Sequence, residues 1–188
     1  MLHVFGKKQT VAHIAASFIL CIYLIGVLTV TGICIKCSFS PVVVYVPFLD
    51  MIRGPVETIL NILLFIPMGF LLPILYSNYG SISKIALFGF LVSLSIEIVQ
   101  LFGFGATDIN DLITNTAGAC LGFLLYKTFK KRIPESWIIR IRVDGPQCYY
   151  ELPIFWIGSI LIMLTIQLYI FHVFYPVIHA SGEIQVWN

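Results

Sequence analysis

Four long apolar runs constrain this chain more than any other feature. They extend over about Val11–Ile35, Thr58–Tyr76, Ile85–Phe102 and Pro153–Pro176. Each is about 17–25 residues long, enough to cross a hydrocarbon core of roughly 30 Å as a helix. A fifth run, Leu112–Tyr126, is short and has to borrow length from Asp108–Asp111, which draws a polar first turn toward the membrane. Composition points the same way. The 188 residues are 59% hydrophobic and 11% charged, with a mean hydropathy of +0.97. A soluble domain of this size cannot hide so much apolar surface. The expectation is an all-α polytopic membrane protein with five transmembrane helices, forming one domain over residues 1–188.

Lys7 and Lys8 precede the first run, as basic residues precede a cleaved signal peptide. That run is longer than the roughly 7–15 apolar residues of such a peptide, and no small-x-small cleavage site follows it. It reads as a retained span.

Orientation follows from Lys and Arg in short loops. With the N-terminus cytoplasmic, Lys7, Lys8, Lys84, Lys127, Lys130, Lys131, Arg132, Arg140 and Arg142 lie inside. Only Lys36 and Arg53 lie outside, and the reverse topology inverts this bias. Five spans then put the C-terminus outside.

Polar residues inside so apolar a chain are costly, and each needs a partner or water. Glu97, Gln100, Asp108, Asp111 and Asn115 occur close together in sequence. In the third run Ala86, Gly89, Ser93, Glu97 and Gln100 share one helix face, small at the cytoplasmic end and polar at the outer end. In the fourth helix Asp111, Asn115, Gly118 and Gly122 do the same. Glu57 and Asn61 lie one turn apart at the outer end of the second helix. Orientation was taken from Lys and Arg alone, yet all three polar ends fall in one leaflet. Gly118-x-x-x-Gly122 allows another helix to approach closely. Asp108 is placed to cap the fourth helix. A buried Glu97 would be protonated, or hydrogen-bonded to Gln100, Asn61 or Asn115. The group reads either as an interhelical network or as a pocket for a ligand or for acid–base chemistry.

Other constellations are weaker. Cys34-Ile-Lys-Cys37 lacks the second pair or the thioredoxin-like unit that metal or redox chemistry needs. His172 and His179, near the end of the last run, have no sequence link to the acids. No metal ligand set, no cofactor site and no GxSxG or HExxH motif is present. The Lys36–Glu57 loop carries Ser40-Pro-Val-Val-Val-Tyr-Val-Pro47, whose β-branched residues between prolines favour extended chain. Asp50 and Arg53 follow it. Pro67 and Pro73 interrupt the second helix. In the basic inner loop, about 127–152, apolar residues alternate from Trp137 to Val143. That suggests a strand, a turn at Asp144-Gly145-Pro146 and a hairpin with Gln147–Glu151. The loop is a topology anchor, with anionic lipid rather than nucleic acid as its alternative contact.

Three segments together resemble the VanZ-like family: Asn61-Ile-Leu-Leu-Phe-Ile-Pro-Met-Gly-Phe70, Ser95-Ile-Glu-Ile-Val-Gln100, and Thr107-Asp-Ile-Asn-Asp-Leu-Ile-Thr-Asn115 with Gly118. The resemblance covers about residues 40–126. It implies a multi-span bacterial membrane protein of the cell envelope, connected with susceptibility to the glycopeptide teicoplanin. The family pattern has a basic residue before its Asp-x-x-Asp segment, whereas Gly103-Phe-Gly-Ala-Thr107 stands here. If the family site holds an anionic head group, Arg53 has to substitute.

The expected site comprises Asn61, Glu97, Gln100, Asp108, Asp111 and Asn115, with Gly118 and Gly122 for helix packing. Its expected partners are membrane lipid and an outer-leaflet ligand: a lipid, a cell-wall precursor or the glycopeptide itself. Two other classes stay open, an enzyme acting on a lipid-linked substrate and a membrane scaffold. In variants keeping a single cysteine, an impermeant thiol reagent on intact cells should label Cys34 or Cys37 and spare Cys148. Labelling of Cys148 without permeabilisation would reverse the orientation.

Overall fold

The computed structural model describes residues 3–4, 7–8, 10–31, 42–44, 55–101, 106–145 and 147–180, with side chains described at 10–31, 55–101, 108–145 and 149–169. Among the described residues the fold is helical apart from two short strand pairings. Its helices are α1 (Val11–Val30), α2 (Pro55–Leu75), α3 (Ile82–Leu101), α4 (Ile109–Phe129), α5 (Glu135–Ile141) and α6 (Gln147–Ala180). One strand pair, β1 (His3–Val4) with β2 (Lys7–Lys8), is antiparallel. The other, β3 (Val42–Val44) with β4 (Ala106–Asp108), is parallel. The β-branched Val42–Val44 is thus extended, and its partner β4 leads the chain into the start of α4.

Among the described residues, four helices are long and apolar enough to cross a membrane: α1, α2, α3 and the Tyr149–Tyr169 part of α6. The chain is a membrane protein. The fifth run is a helix too, α4, at 21 residues. Its acids, amides and glycines lower its hydropathy, and it is clasped between α2 and α3.

The α2–α4 contact organises the bundle. Gly118 faces the carbonyl of Ile62, Gly122 faces that of Ile66, and Gly69 of α2 faces that of Ala119. At each glycine an added Cβ would overlap the opposing backbone. The pairing of 62 with 118 and 66 with 122 means that the two helices run in the same direction. α3 runs against them, and a Cβ on Gly89 would meet the Ala119 Cβ at 2.9 Å. Phe65, Met68, Leu72, Ile96, Ala119 and Phe123 fill the core between them. α1 adds Leu20, Leu24, Val27 and Leu28, and Tyr23 donates to the Leu64 carbonyl at 2.6 Å.

The structure corrects the basic loop. The stretch expected as a strand is helix α5, and Gln147 opens α6 instead of closing a hairpin. Over seven residues the alternation also fits a helix with Ile138 and Ile141 on one face, and Ile138 is buried. The turn survives at Gly145, whose φ of 100° lies in the left-handed region open to glycine.

Val143 then docks beneath α2. It donates to the Leu75 carbonyl at 2.8 Å and accepts from Ser77 at 3.2 Å. The amide four residues after Pro73 is thereby diverted, and Arg142 Nη2 supplies the Pro73 carbonyl with a donor at 2.7 Å. A second polar knot ties the same end. His13 Nδ1 lies 2.6 Å from the Ile141 carbonyl, and its Nε2 lies 2.9 Å from Glu151 Oε1. Because a carbonyl only accepts, Nδ1 carries the hydrogen. Thr10 caps α1 and donates to the Arg140 carbonyl.

Backbone contact at glycines sets a test. Gly69→Ala and Gly118→Ala should each lower the melting temperature in detergent, since overpacking costs about 1–3 kcal/mol. Gly26→Ala, with nothing within 4 Å of its added Cβ, should not. Identical melting of all three would remove the close-contact account.

Candidate functional site

The polar residues converge where α4 begins. Asp108 has extended backbone angles, φ −125° and ψ 122°, and its carboxylate accepts from the Asn110 amide at 2.8 Å. This is the expected N-cap, and it satisfies one of the amides that a helix start leaves without an intrahelical partner. The Asn110 side chain donates to the same Oδ1 at 2.8 Å, so one residue bonds that oxygen twice.

Glu97 is 5% exposed. Its Oε2 accepts from the Asp108 backbone amide at 2.9 Å. The sequence suggested Gln100, Asn61 or Asn115 as its partner, and the Asp108 amide takes that place. The reason is geometric: the last turn of α3 lies beside the chain that enters α4, so a main-chain donor is nearer than any of those amide side chains. Glu97 and Asp108 thereby fix where α4 starts.

One turn on, Asp111 Oδ1 accepts from Asn61 Nδ2 at 2.6 Å. A hydrogen bond to a carboxylate is of the stronger kind. It joins the N-terminal halves of α2 and α4. On the other side of α4, Ser93 donates to the Asp111 carbonyl at 3.4 Å. Asn115 Nδ2 donates to Ser93 Oγ at 3.0 Å. Asn115 is 2% exposed, and its Oδ1 has no hydrogen-bond partner among the described residues. A buried amide oxygen left without a donor costs about 1–3 kcal/mol.

Of the expected residues, Asn61, Glu97, Asp108, Asp111 and Asn115 therefore meet across α2, α3 and α4. Gln100 does not join them. Its Nε2 donates to the Thr31 carbonyl at 2.7 Å and ties the end of α3 to the end of α1. Two participants were not among the expected site residues. Ser93 sits on the marked face of α3 but is small enough to read as packing. Asn110 lies between the two aspartates, where its side chain serves the cap. Arg53, Asp50, Cys34 and Cys37 lie outside the described residues, as do the side chains of His172, His179 and Cys148.

The arrangement offers three carboxylates, an open amide oxygen and a hydroxyl, mostly acceptors, in a buried to half-buried setting. Among the described residues no group of three or more His, Cys, Asp or Glu is placed to hold a metal ion.

The comparisons with known proteins bear on the same segment. The family model described as VanZ/LLP1 matches residues 11–130, which contain α1 to α4 and every residue of the site. Protein VanZ of Enterococcus faecium is 42% identical over 86 residues, which is 45% of this chain and 53% of that protein. The chain thus spans about half the length of this curated relative. No solved structure matches.

Proposed function

The chain belongs to the VanZ/LLP1 family, and from that premise we propose that it lowers susceptibility to glycopeptides of the teicoplanin kind. In this reading it is a multi-pass protein of the bacterial cell membrane. α1, α2, α3, α4 and α6 make five spans, with the N-terminus cytoplasmic and the C-terminus outside. Support for that orientation is the concentration of Lys and Arg at one end of the helices. The polar site then faces outward.

The observation that carries the proposal is the Asn61–Asp111 contact, with Glu97 and Asn115 beside it. Simple capping accounts for Asp108 and Asn110. It does not account for a carboxylate bonded to a second helix, or for a buried amide oxygen that no donor among the described residues reaches. A ligand presenting hydroxyl or N–H donors in the outer leaflet would complete that valence. A lipid head group, a cell-wall precursor and the glycopeptide all present such donors.

The test uses a strain expressing the chain from a plasmid. Teicoplanin resistance should rise over the empty vector, with a smaller change for vancomycin. Glu97→Gln keeps an acceptor for the Asp108 amide and Asp111→Asn keeps one for Asn61, so both should reach the membrane at normal levels. Both should return resistance to the vector level. Full resistance in well-expressed variants would show that ionisable groups at this site play no part.

A further inference from the structure

At the end of the bundle opposite the polar site, a cavity of about 740 Å³ opens below α4. Four cations line it: Lys130, Lys131 and Arg132, on the single 3-10 turn that follows α4, and Arg142, just after α5. Glu135 and Asp144 share the lining. Among the described residues the ion pair within 4 Å is His13–Glu151, so none of the four cations is in direct contact with a carboxylate.

A charge-biased loop needs only the number of its cations; this one also fixes where they stand. Arg142 Nη2 is held by the Pro73 carbonyl at 2.7 Å and the Tyr126 hydroxyl at 3.1 Å. The Arg132 guanidinium lies over the Phe129 ring, 5.4 Å from its centroid. Three successive cations in one turn repel each other, and an anion placed among them relieves that repulsion.

The surroundings indicate where the anion sits. Trp137 and Ile139 on α5 are 64% and 70% exposed, and Tyr149 and Tyr150 are exposed at the start of α6. Exposed aromatic side chains of this kind collect at the level of lipid headgroups. Ile133 and Ile139 carry the lining from the cations to that apolar surface.

We propose that this cavity binds the headgroup of an anionic phospholipid. The phosphate sits among Lys130, Lys131 and Arg132, against the fixed charge of Arg142. Glu135 and Asp144 accept from headgroup hydroxyls, which suits a glycerol headgroup. A phosphate ester is the recognised chemistry, and the apolar rim makes the lipid its source. Basic pockets beside membrane spans recognise anionic lipid by this physics. The site is distinct from the polar site at the start of α4, and the inference does not depend on the glycopeptide reading.

The test is native mass spectrometry of the full chain in neutral detergent, titrated with phosphatidylglycerol or phosphatidylcholine. The expected result is preferential retention of phosphatidylglycerol. Lys131→Gln with Arg132→Gln should weaken it by roughly tenfold, and Lys131→Arg with Arg132→Lys should restore it. Lys84→Gln with Lys127→Gln removes equal charge outside the cavity lining and should leave retention unchanged. All these side chains are exposed, and an unchanged melting temperature verifies folding. Competition by inorganic phosphate would show that the phosphate group is what is held. Preference for phosphatidylglycerol without such competition would show that the site requires the lipid. Equal retention of the two lipids, or equal loss in both charge-removed pairs, would overturn the proposal.

Discussion

Three glycines bring two backbones into contact, and the rest of the structure depends on it. Gly69, Gly118 and Gly122 let α2 and α4 approach until a methyl group at any of them would overlap the opposite main chain. In lipid the hydrophobic effect does not drive helices together, so close packing and interhelical hydrogen bonds have to do so. The glycine seam supplies the packing. It also sets the register that puts Asn61 opposite Asp111. Side chains as short as these bond across helices only when the axes are close. The polar site is therefore a consequence of the seam.

The two ends of the bundle solve different problems. At the start of α4, polar side chains bond across helices while leaving the Asn115 oxygen open. At the other end, residues 133–145 lace under α2 through Val143 and Arg142 and accept from His13 and Thr10 of α1. One end is closed by main-chain bonds and bordered by cations. The other collects acceptors. That polarity of chemistry matches a protein with different surroundings on its two sides.

Much of this was legible in the sequence. Apolar runs long enough to cross a bilayer identify helices whatever their neighbours, and α1, α2 and α3 begin within a few residues of the runs that announced them. Helical spacing placed Asp111, Asn115, Gly118 and Gly122 on one face, and the glycines do meet a neighbouring backbone. Capping by Asp108 is a local rule and held. What failed was non-local or short. Gly69 gave no signal because its partner, Ala119, is distant in sequence. His13 and Glu151 meet across nearly the whole chain. Glu97 found a backbone amide, and a search among side chains cannot see that. Gln100 shares the Glu97 face but lies near the end of α1, where the Thr31 carbonyl claims it. Helix α5 was mistaken for a strand because seven residues hold too few turns for the two periods to separate.

The central claim is that the seam delivers Asn61 and Asp111 to one coupled site. A double-mutant cycle tests it most directly, with thermal unfolding of Asn61→Ala, Asp111→Ala and the double variant measured in lipid nanodiscs. The account predicts that the double variant is less destabilised than the sum of the singles, with a coupling of about 0.6 kcal/mol or more. Strict additivity of the two substitutions would contradict it.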